Sequence, residues 1–323
     1  MKILIVKPSS FGDIIQANPI IKAIKSQWAD CIIDWLVFKN WKQVVELFCD
    51  VNNIIEWDRN GGIKAFFKTL KYCNKQNYDL VIDLQGLLRT AIFVRLLNAK
   101  QKVGVSGMKE LSWLFLKEPY KRNKKENAVT RNLNSLTYIT KQKYAPYFNI
   151  NKGVIPYDIL KYNNIKENDF LIAFVPFSRG KAKTWNSENY VSLAKLIKSE
   201  NENIKIFVLG SQKDYGKIKS ENVIDICGRT DIKELAGILS LCKFVVGSDT
   251  GAMHLANAVG IKNVFIFGGS DINETSPVGK NSKIVSAYLP CSPCRGKCKF
   301  DKEKCLEQIK PNEVFEEIKE WIK

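Results

Sequence analysis

Phe244-Val245-Val246-Gly247-Ser248-Asp249-Thr250-Gly251-Ala252-Met253-His254 is the stretch whose reading decides the fold. Its opening apolar run is short enough for a buried strand, and residues 252–259 have the spacing of a helix. A strand that passes into a helix through Asp-Thr-Gly leaves the first helical amides unpaired. It also sets the positive dipole end at the strand's carboxyl edge. Such a junction is an anion site. The same residues also suit an ordinary strand-turn-helix, with Asp249 or Thr250 as the cap and His254 packed inside. His254 is the chain's only histidine.

The same unit recurs on both sides. Residues 2–6 are a β-branched run, followed by the turn Pro8-Ser9-Ser10-Phe11-Gly12-Asp13 and a helical pattern over 14–26. Strands are expected at 31–37, 53–57, 79–84 and 103–105, alternating with helices at 41–48, 63–73 and 87–97. A helix at 126–141 precedes a Pro-, Gly- and Asn-containing connection over 144–168. Alternation resumes with strands at 170–175, 204–209 and 223–226, and helices at 187–198 and 232–241. After the opening stretch comes a strand at 263–267 ending in Gly268-Gly269-Ser270. Two runs of β–α alternation predict two doubly wound, parallel-sheet domains of Rossmann-like form facing across a cleft. The division is placed at 1–160 and 161–310, and a last helix over 311–323 is free to pack back on the first domain.

The chain has 323 residues, enough for two full cores, with 45% hydrophobic content and 11% aromatics. Its formal charge of +17 calls for an anionic partner or a solvated basic surface. No zinc-finger spacing, RNA-binding aromatic signature or continuous basic helix points to nucleic acid. The first apolar run is too short for a signal peptide and is broken by Lys7. No stretch reaches the roughly 18 apolar residues of a membrane span. A cytoplasmic protein, peripheral on a membrane, is expected. The basic stretch 100–125, interrupted by Trp113, Leu114 and Phe115, suits an anionic lipid or glycolipid surface as well as a solvated loop.

Several residues can carry chemistry. Asp13 follows Gly12 at a strand-loop-helix junction, where a carboxylate can serve as a general base or simply cap the helix. The helix dipole there favours its ionised form. Lys181 and Lys183, with Arg179 as a competitor, lie in a loop suited to a diphosphate. Trp185 behind them reads as core or loop anchor. The chain lacks a P-loop and a Gly-x-Gly-x-x-Gly fingerprint, which argues against nucleotide kinases and dinucleotide oxidoreductases, and it lacks an Asp-x-Asp pair, a metal-binding signature. Cys291, Cys294, Cys298 and Cys305 are spaced closely enough to hold a structural metal or to remain a reduced loop.

Taken in order, these motifs resemble a known family. Lys2 to Asp13, then Tyr78-Asp79-Leu80-Val81-Ile82-Asp83-Leu84-Gln85-Gly86-Leu87, then Lys183-Thr184-Trp185, then Asp249 to His254 are similar to the successive signatures of glycosyltransferase family nine, the ADP-heptose:lipopolysaccharide heptosyltransferases. The opening and the Asp-x-Gln-Gly-Leu stretch look most like the enzymes that add the first heptose to Kdo on lipid A. The cysteine-rich tail resembles those that add the second.

The resemblance implies the GT-B fold and metal-independent, inverting transfer from ADP-L-glycero-β-D-manno-heptose, with no cofactor. By position, Asp13 matches the base and Lys183 the lysine on the donor phosphates. Asp249, Thr250, Gly251 and His254 match the donor-binding turn. Ser178 and Arg179 stand where the family has a Thr-Thr pair, Thr230 where it has Met, and Gln212 near a glutamate that holds the ribose. Ser10, Gly12, Arg59, Lys64, Lys121, Arg122 and Lys124 are expected to meet the anionic Kdo–lipid A acceptor at the inner membrane. Two other classes fit parts of the sequence: a nucleotide-sugar epimerase of the same fold, and a basic module that binds nucleic acid or membrane without catalysis.

Overall fold

The computed structural model describes residues 1–117, 125–294, 298, 300 and 304–322. The chain divides into two compact units, Met1–Asn151 and Lys152–Lys323.

The first unit runs β1 (Lys2–Val6), α1 (Phe11–Ala17), α2 (Pro19–Gln27), β2 (Ile32–Phe38), α3 (Lys42–Glu46), β3 (Asn53–Trp57), α4 (Gly62–Asn74), β4 (Tyr78–Asp83), α5 (Leu88–Leu96), β5 (Ala99–Gly104) and α6 (Ala128–Thr140). Its five strands are parallel, in the order β3-β2-β1-β4-β5. Ile3, Leu4, Ile5 and Val6 are fully buried, as expected of a central parallel strand covered on both faces. Trp57 stacks on Phe93 at 5.0 Å and meets Phe66 edge-on at 5.7 Å, closing the core beneath α4 and α5.

The helix expected over 14–26 is two helices. Pro19 has no N–H to continue the ladder, so it starts α2 at a position where the donor would be orphaned anyway. Asn18, between the two, is fully buried and makes reciprocal bonds with Asn149. Its Nδ2 donates to the Asn149 carbonyl at 3.1 Å, and its Oδ1 accepts from the Asn149 amide at 2.8 Å.

The second unit runs α7 (Tyr157–Tyr162), β6 (Leu171–Val175), α8 (Ser187–Glu200), β7 (Lys205–Val208), β8 (Ile224–Asp225), α9 (Ile232–Leu241), β9 (Phe244–Ser248), α10 (Gly251–Ala258), β10 (Lys262–Phe267), α11 (Ile272–Thr275), β11 (Ser282–Ser286), α12 (Lys304–Gln308) and α13 (Pro311–Ile322). Its six parallel strands stand in the order β11-β10-β9-β6-β7-β8. Trp185 is fully buried against Tyr190 and donates its Nε1 proton to the Ile309 carbonyl at 3.0 Å, so it is both core and anchor. Helix α13 packs on α8, β10 and β11. It buries Val314, Phe315, Ile318 and Ile322, a stripe at helical spacing, in the second unit's core.

Residues 153–155 run directly over α9. The Val154 amide donates to the Lys233 carbonyl at 3.0 Å. A Cβ built on Gly237 would fall on the Val154 carbonyl, and one on Gly153, whose φ is +78°, on that of Lys233. Gly237→Ala is expected to lower stability by about 1–3 kcal/mol, despite the gain in helix propensity, because backbone must move. A chemical-denaturation midpoint at or above wild type would show that the segment does not bear on the helix this tightly.

Candidate active site

In doubly wound sheets, ligands sit beyond the carboxyl ends of the strands where the strand order reverses. In the first sheet that point lies between β1 and β4, and in the second between β6 and β9. All four following loops carry residues singled out above.

In the second unit, the loop after β6 leads to a tight turn at Lys181–Lys183, and that after β9 to the N-terminus of α10. The ends of the two strands are tied by Ser248, whose Oγ donates to the Pro176 carbonyl at 2.9 Å. Lys183 Nζ then meets Asp249 Oδ2 at 2.7 Å across the switch point. The pair is lopsided: the Asp249 side chain is 4% exposed and that of Lys183 39%, so the carboxylate anchors and the ammonium faces out. His254 is buried, with Nε2 3.3 Å from Asp249 Oδ1 and its ring 5.3 Å from that of Phe265. Burial alone would raise the Asp249 carboxyl. The His254 and Lys183 contacts outweigh it and hold the group well below the usual carboxylate range.

Thr250 is the N-cap of α10 in extended conformation, and the first bond of the helix runs from the His254 amide to the Thr250 carbonyl at 3.1 Å. The amides of Gly251, Ala252 and Met253 therefore precede the ladder. The buried hydroxyls of Thr250 and Ser270 have no hydrogen-bond partner among the described residues, an arrangement that calls for a reason in a folded core. Ser178 is fixed within its own loop: its Oγ donates to the Gly180 carbonyl at 2.9 Å, and its amide to Thr184 Oγ1 at 3.3 Å. Arg179 is exposed on that loop. Gln212 lies on the turn after β7 and rests against Gly228, whose amide donates to the Gly210 carbonyl at 2.9 Å. Thr230 is half-buried, just before Asp231, the N-cap of α9. Two contributors were not anticipated: Ser270, and Thr275, whose Oγ1 donates to Asp249 Oδ2 at 3.4 Å.

In the first unit, Asp13 sits at the third position of α1. Its Oδ2 accepts from the Ser10 hydroxyl at 2.6 Å and the Ser10 amide at 3.1 Å. The capping role is thus realised, while the carboxylate stays on the surface with its helix's positive end behind it. Gly12 is half-buried beside it. Lys7, at the end of β1, is buried and donates to the Leu84 carbonyl at 2.9 Å. Burial lowers its pKa, against the pull of Asp13 and Asp83. The Ser9 amide donates to Gln85 Oε1 at 3.3 Å, so the turn after β1 is tied to the turn after β4. Asp83 closes the second turn. It accepts from the amides of Gln85 and Gly86 at 2.9 and 3.2 Å, and from Thr90 Oγ1 at 2.9 Å.

The remaining expected acceptor residues are spread out. Arg59 is exposed, with its guanidinium 5.8 Å from the Phe38 ring, and Lys64 is exposed in the first turn of α4. Lys121, Arg122 and Lys124 lie outside the described residues. Cys291, Cys294 and Cys298 are half-buried, and Cys305 is buried. Burial raises the Cys305 thiol, and Cys294, Cys291 and Cys298 add to the effect. Among the described residues, no group of three or more His, Cys, Asp or Glu side chains is arranged to hold a metal ion.

The fold is that of solved glycosyltransferases. The structure described as E. coli heptosyltransferase WaaC with ADP matches with a TM-score of 0.77 at 23% identity, covering 99% of this chain and 100% of that one. This likeness shows the GT-B fold, with two Rossmann-like units. The sequence carries the assignment further. The family model of glycosyltransferase family 9 (heptosyltransferase) matches residues 63–304. Lipooligosaccharide heptosyltransferase 2 of Campylobacter jejuni subsp. jejuni serotype O:2 is 27% identical over 100% of the chain and 99% of its own length. Lipopolysaccharide heptosyltransferase 1 of E. coli K12 is also 27% identical, over 89% of the chain and 94% of its own length. The chain belongs to glycosyltransferase family 9 and is a glycosyltransferase.

Asp83 gives the first unit a pH signature. Burial pushes its carboxyl from 3.8 up to about 6. A carboxyl raised in this way holds its proton more tightly folded than unfolded, so its contribution is fully present below the unfolded value and is lost as pH rises through about 6. Between those values wild type should lose about 2–3 kcal/mol of stability that Asp83→Asn does not lose. Parallel denaturant titrations of the two proteins with the same pH slope would refute this.

Proposed function

We propose that the enzyme transfers heptose from ADP-L-glycero-β-D-manno-heptose to the Kdo of lipid A, with inversion, in building the lipopolysaccharide inner core. The observation that carries this reading is the Lys183–Asp249 pair at the second sheet's switch point, with a half-exposed lysine beside a helix N-terminus. A diphosphate leaving group gains charge as its bond to the sugar breaks. An ammonium and unpaired amides fixed in advance stabilise that charge without reorganising.

Asp13 takes the proton of the acceptor hydroxyl. The freed oxygen attacks the heptose anomeric carbon, the bond from that carbon to the diphosphate oxygen breaks, and ADP departs. Lys183 and the amides at Thr250-Gly251 receive the diphosphate. An ammonium has three protons, so Lys183 can keep Asp249 while binding phosphate, and Asp249 serves to aim it. The hydroxyls of Thr250 and Ser270 are further candidates for donor contact, since they lack partners among the described residues. Ser178, Arg179, Gln212 and Thr230 are proposed to line the donor, with Gln212 offering a neutral amide to a ribose hydroxyl. His254 acts through Asp249 rather than as the base. Ser10, Gly12, Arg59 and Lys64 are proposed on the acceptor side, together with Lys121, Arg122 and Lys124.

A second reading, transfer of the second heptose, is favoured by the cysteine-rich tail and by the full-length match to a heptosyltransferase 2. Incubation with ADP-heptose and either Kdo2-lipid A or its heptosylated form, followed by mass spectrometry, separates the two. A product from the first acceptor supports the first reading, and from the second alone the other. Asp13→Asn should lower turnover by about 10²–10⁴-fold while ADP binding by calorimetry is unchanged. Wild-type turnover in that variant would remove Asp13 from the role of base.

A further inference from the structure

Two segments of the first unit hold large apolar side chains out to solvent among cations. On α4, Ile63 and Phe67 are one turn apart and 76% and 56% exposed, with Lys64, Lys68 and Lys71 exposed beside them. In the short turn Ser112–Leu114 and its flank, Leu111, Trp113 and Leu114 are 60%, 54% and 61% exposed. Helix α5 joins the two. It packs on α4, where Phe66 meets Phe93 edge-on at 5.5 Å, and against the turn, and its last turn exposes Arg95 and Leu96. Arg95, Trp113, Leu114, Phe115, Leu116 and Lys117 line one open hollow of about 600 Å³.

Large apolar side chains held out to solvent together in this way point to an interaction site. The charge around it selects the partner. Residues 59–117 carry eleven Lys and Arg against three Asp and Glu. Of those acids Asp83 is buried and Asp79 is held by Lys100 at 2.7 Å, which leaves Glu110. Bulky apolar side chains interleaved with cations match the two layers of an anionic bilayer surface, acyl boundary below and phosphates above.

We propose that the outer face of α4, the end of α5 and residues 111–117 form a docking surface for an anionic lipid bilayer. Phe67 and Trp113 enter the interfacial layer, and Lys68, Lys71, Arg95 and Lys117 meet lipid phosphates. Its use, presenting the enzyme to a lipid-borne acceptor, rests on the proposed function, but binding itself needs no sugar transfer.

Flotation of the full chain with vesicles tests this. Binding is expected to vesicles of phosphatidylcholine with roughly 30% phosphatidylglycerol, to fall as salt rises, and to be weak on phosphatidylcholine alone. Trp113→Ser with Leu114→Ser should weaken binding by roughly tenfold or more. Lys68→Gln and Lys71→Gln should each weaken it about fivefold at low salt. Tyr288→Ser, an exposed aromatic of the second unit, should change nothing. Thermal melts check that each variant is folded.

Equal binding by wild type and the Trp113/Leu114 variant overturns the proposal, as does equal binding to neutral and anionic vesicles. Dimerisation that the same variant abolishes, without vesicle binding by wild type, assigns the face to a second copy instead. A chain that floats with vesicles but transfers no heptose overturns the proposed reaction and leaves the docking surface standing.

Discussion

The contact between Lys183 and Asp249 is the interaction around which the second unit's site is arranged. It joins two loops that leave neighbouring strands, β6 and β9, from positions 66 residues apart. A buried carboxylate is costly unless it is paired and hydrogen-bonded. Asp249 meets that requirement with Lys183, His254 and Thr275. Each partner comes from a different segment, so one acid fixes the loop after β6, the first turn of α10 and the end of α11. The outcome is an ammonium whose direction is set before any ligand arrives.

The first unit solves the same geometric problem with neutral acceptors. Lys7 reaches a carbonyl, that of Leu84, rather than a carboxylate, and Gln85 pins the Ser9 amide. Asp83 works from below, folding the turn at Gln85-Gly86 around itself. The surface acid, Asp13, accepts from the amide and the hydroxyl of Ser10, and stands apart from that frame. A frame and a separate reactive group are what a site needs if the reactive group is to exchange protons without disturbing its support.

Much of this was legible in the sequence because a parallel sheet writes its strands as continuous β-branched and aliphatic runs. Strands at 2–6 and 53–57 and the helix at 232–241 coincide with β1, β3 and α9. The split at Asn18-Pro19 was obscured by apolar spacing that continues through the break. Strand β11 went unread because it is half-buried along its whole length and contains Ser282, Lys283 and Ser286. The motif residues of each half were recognisable as motifs. Their partners were not: nothing local relates Thr275 to Asp249, or Lys7 to Leu84, since each contact is set by strand order rather than by spacing. The buried hydroxyl of Ser270 follows Gly268-Gly269, which signalled a strand end but not a polar group turned inward.

Helix α13 has a further consequence, for synthesis. The first unit has every element of its sheet and its covering helices by residue 151, so it can complete its core while the rest of the chain is still being made. The second unit cannot. Its central cluster includes Val314, Phe315, Ile318 and Ile322, and α8, formed more than a hundred residues earlier in order of synthesis, waits for them with its apolar face uncovered. Domains tend to fold as units in order of emergence, and exposed strand edges and apolar faces are where aggregation begins. The nascent protein therefore passes through a stage in which one half is finished and the other is sticky, and the length of that stage is set by the ribosome's pace from α8 to the end of α13.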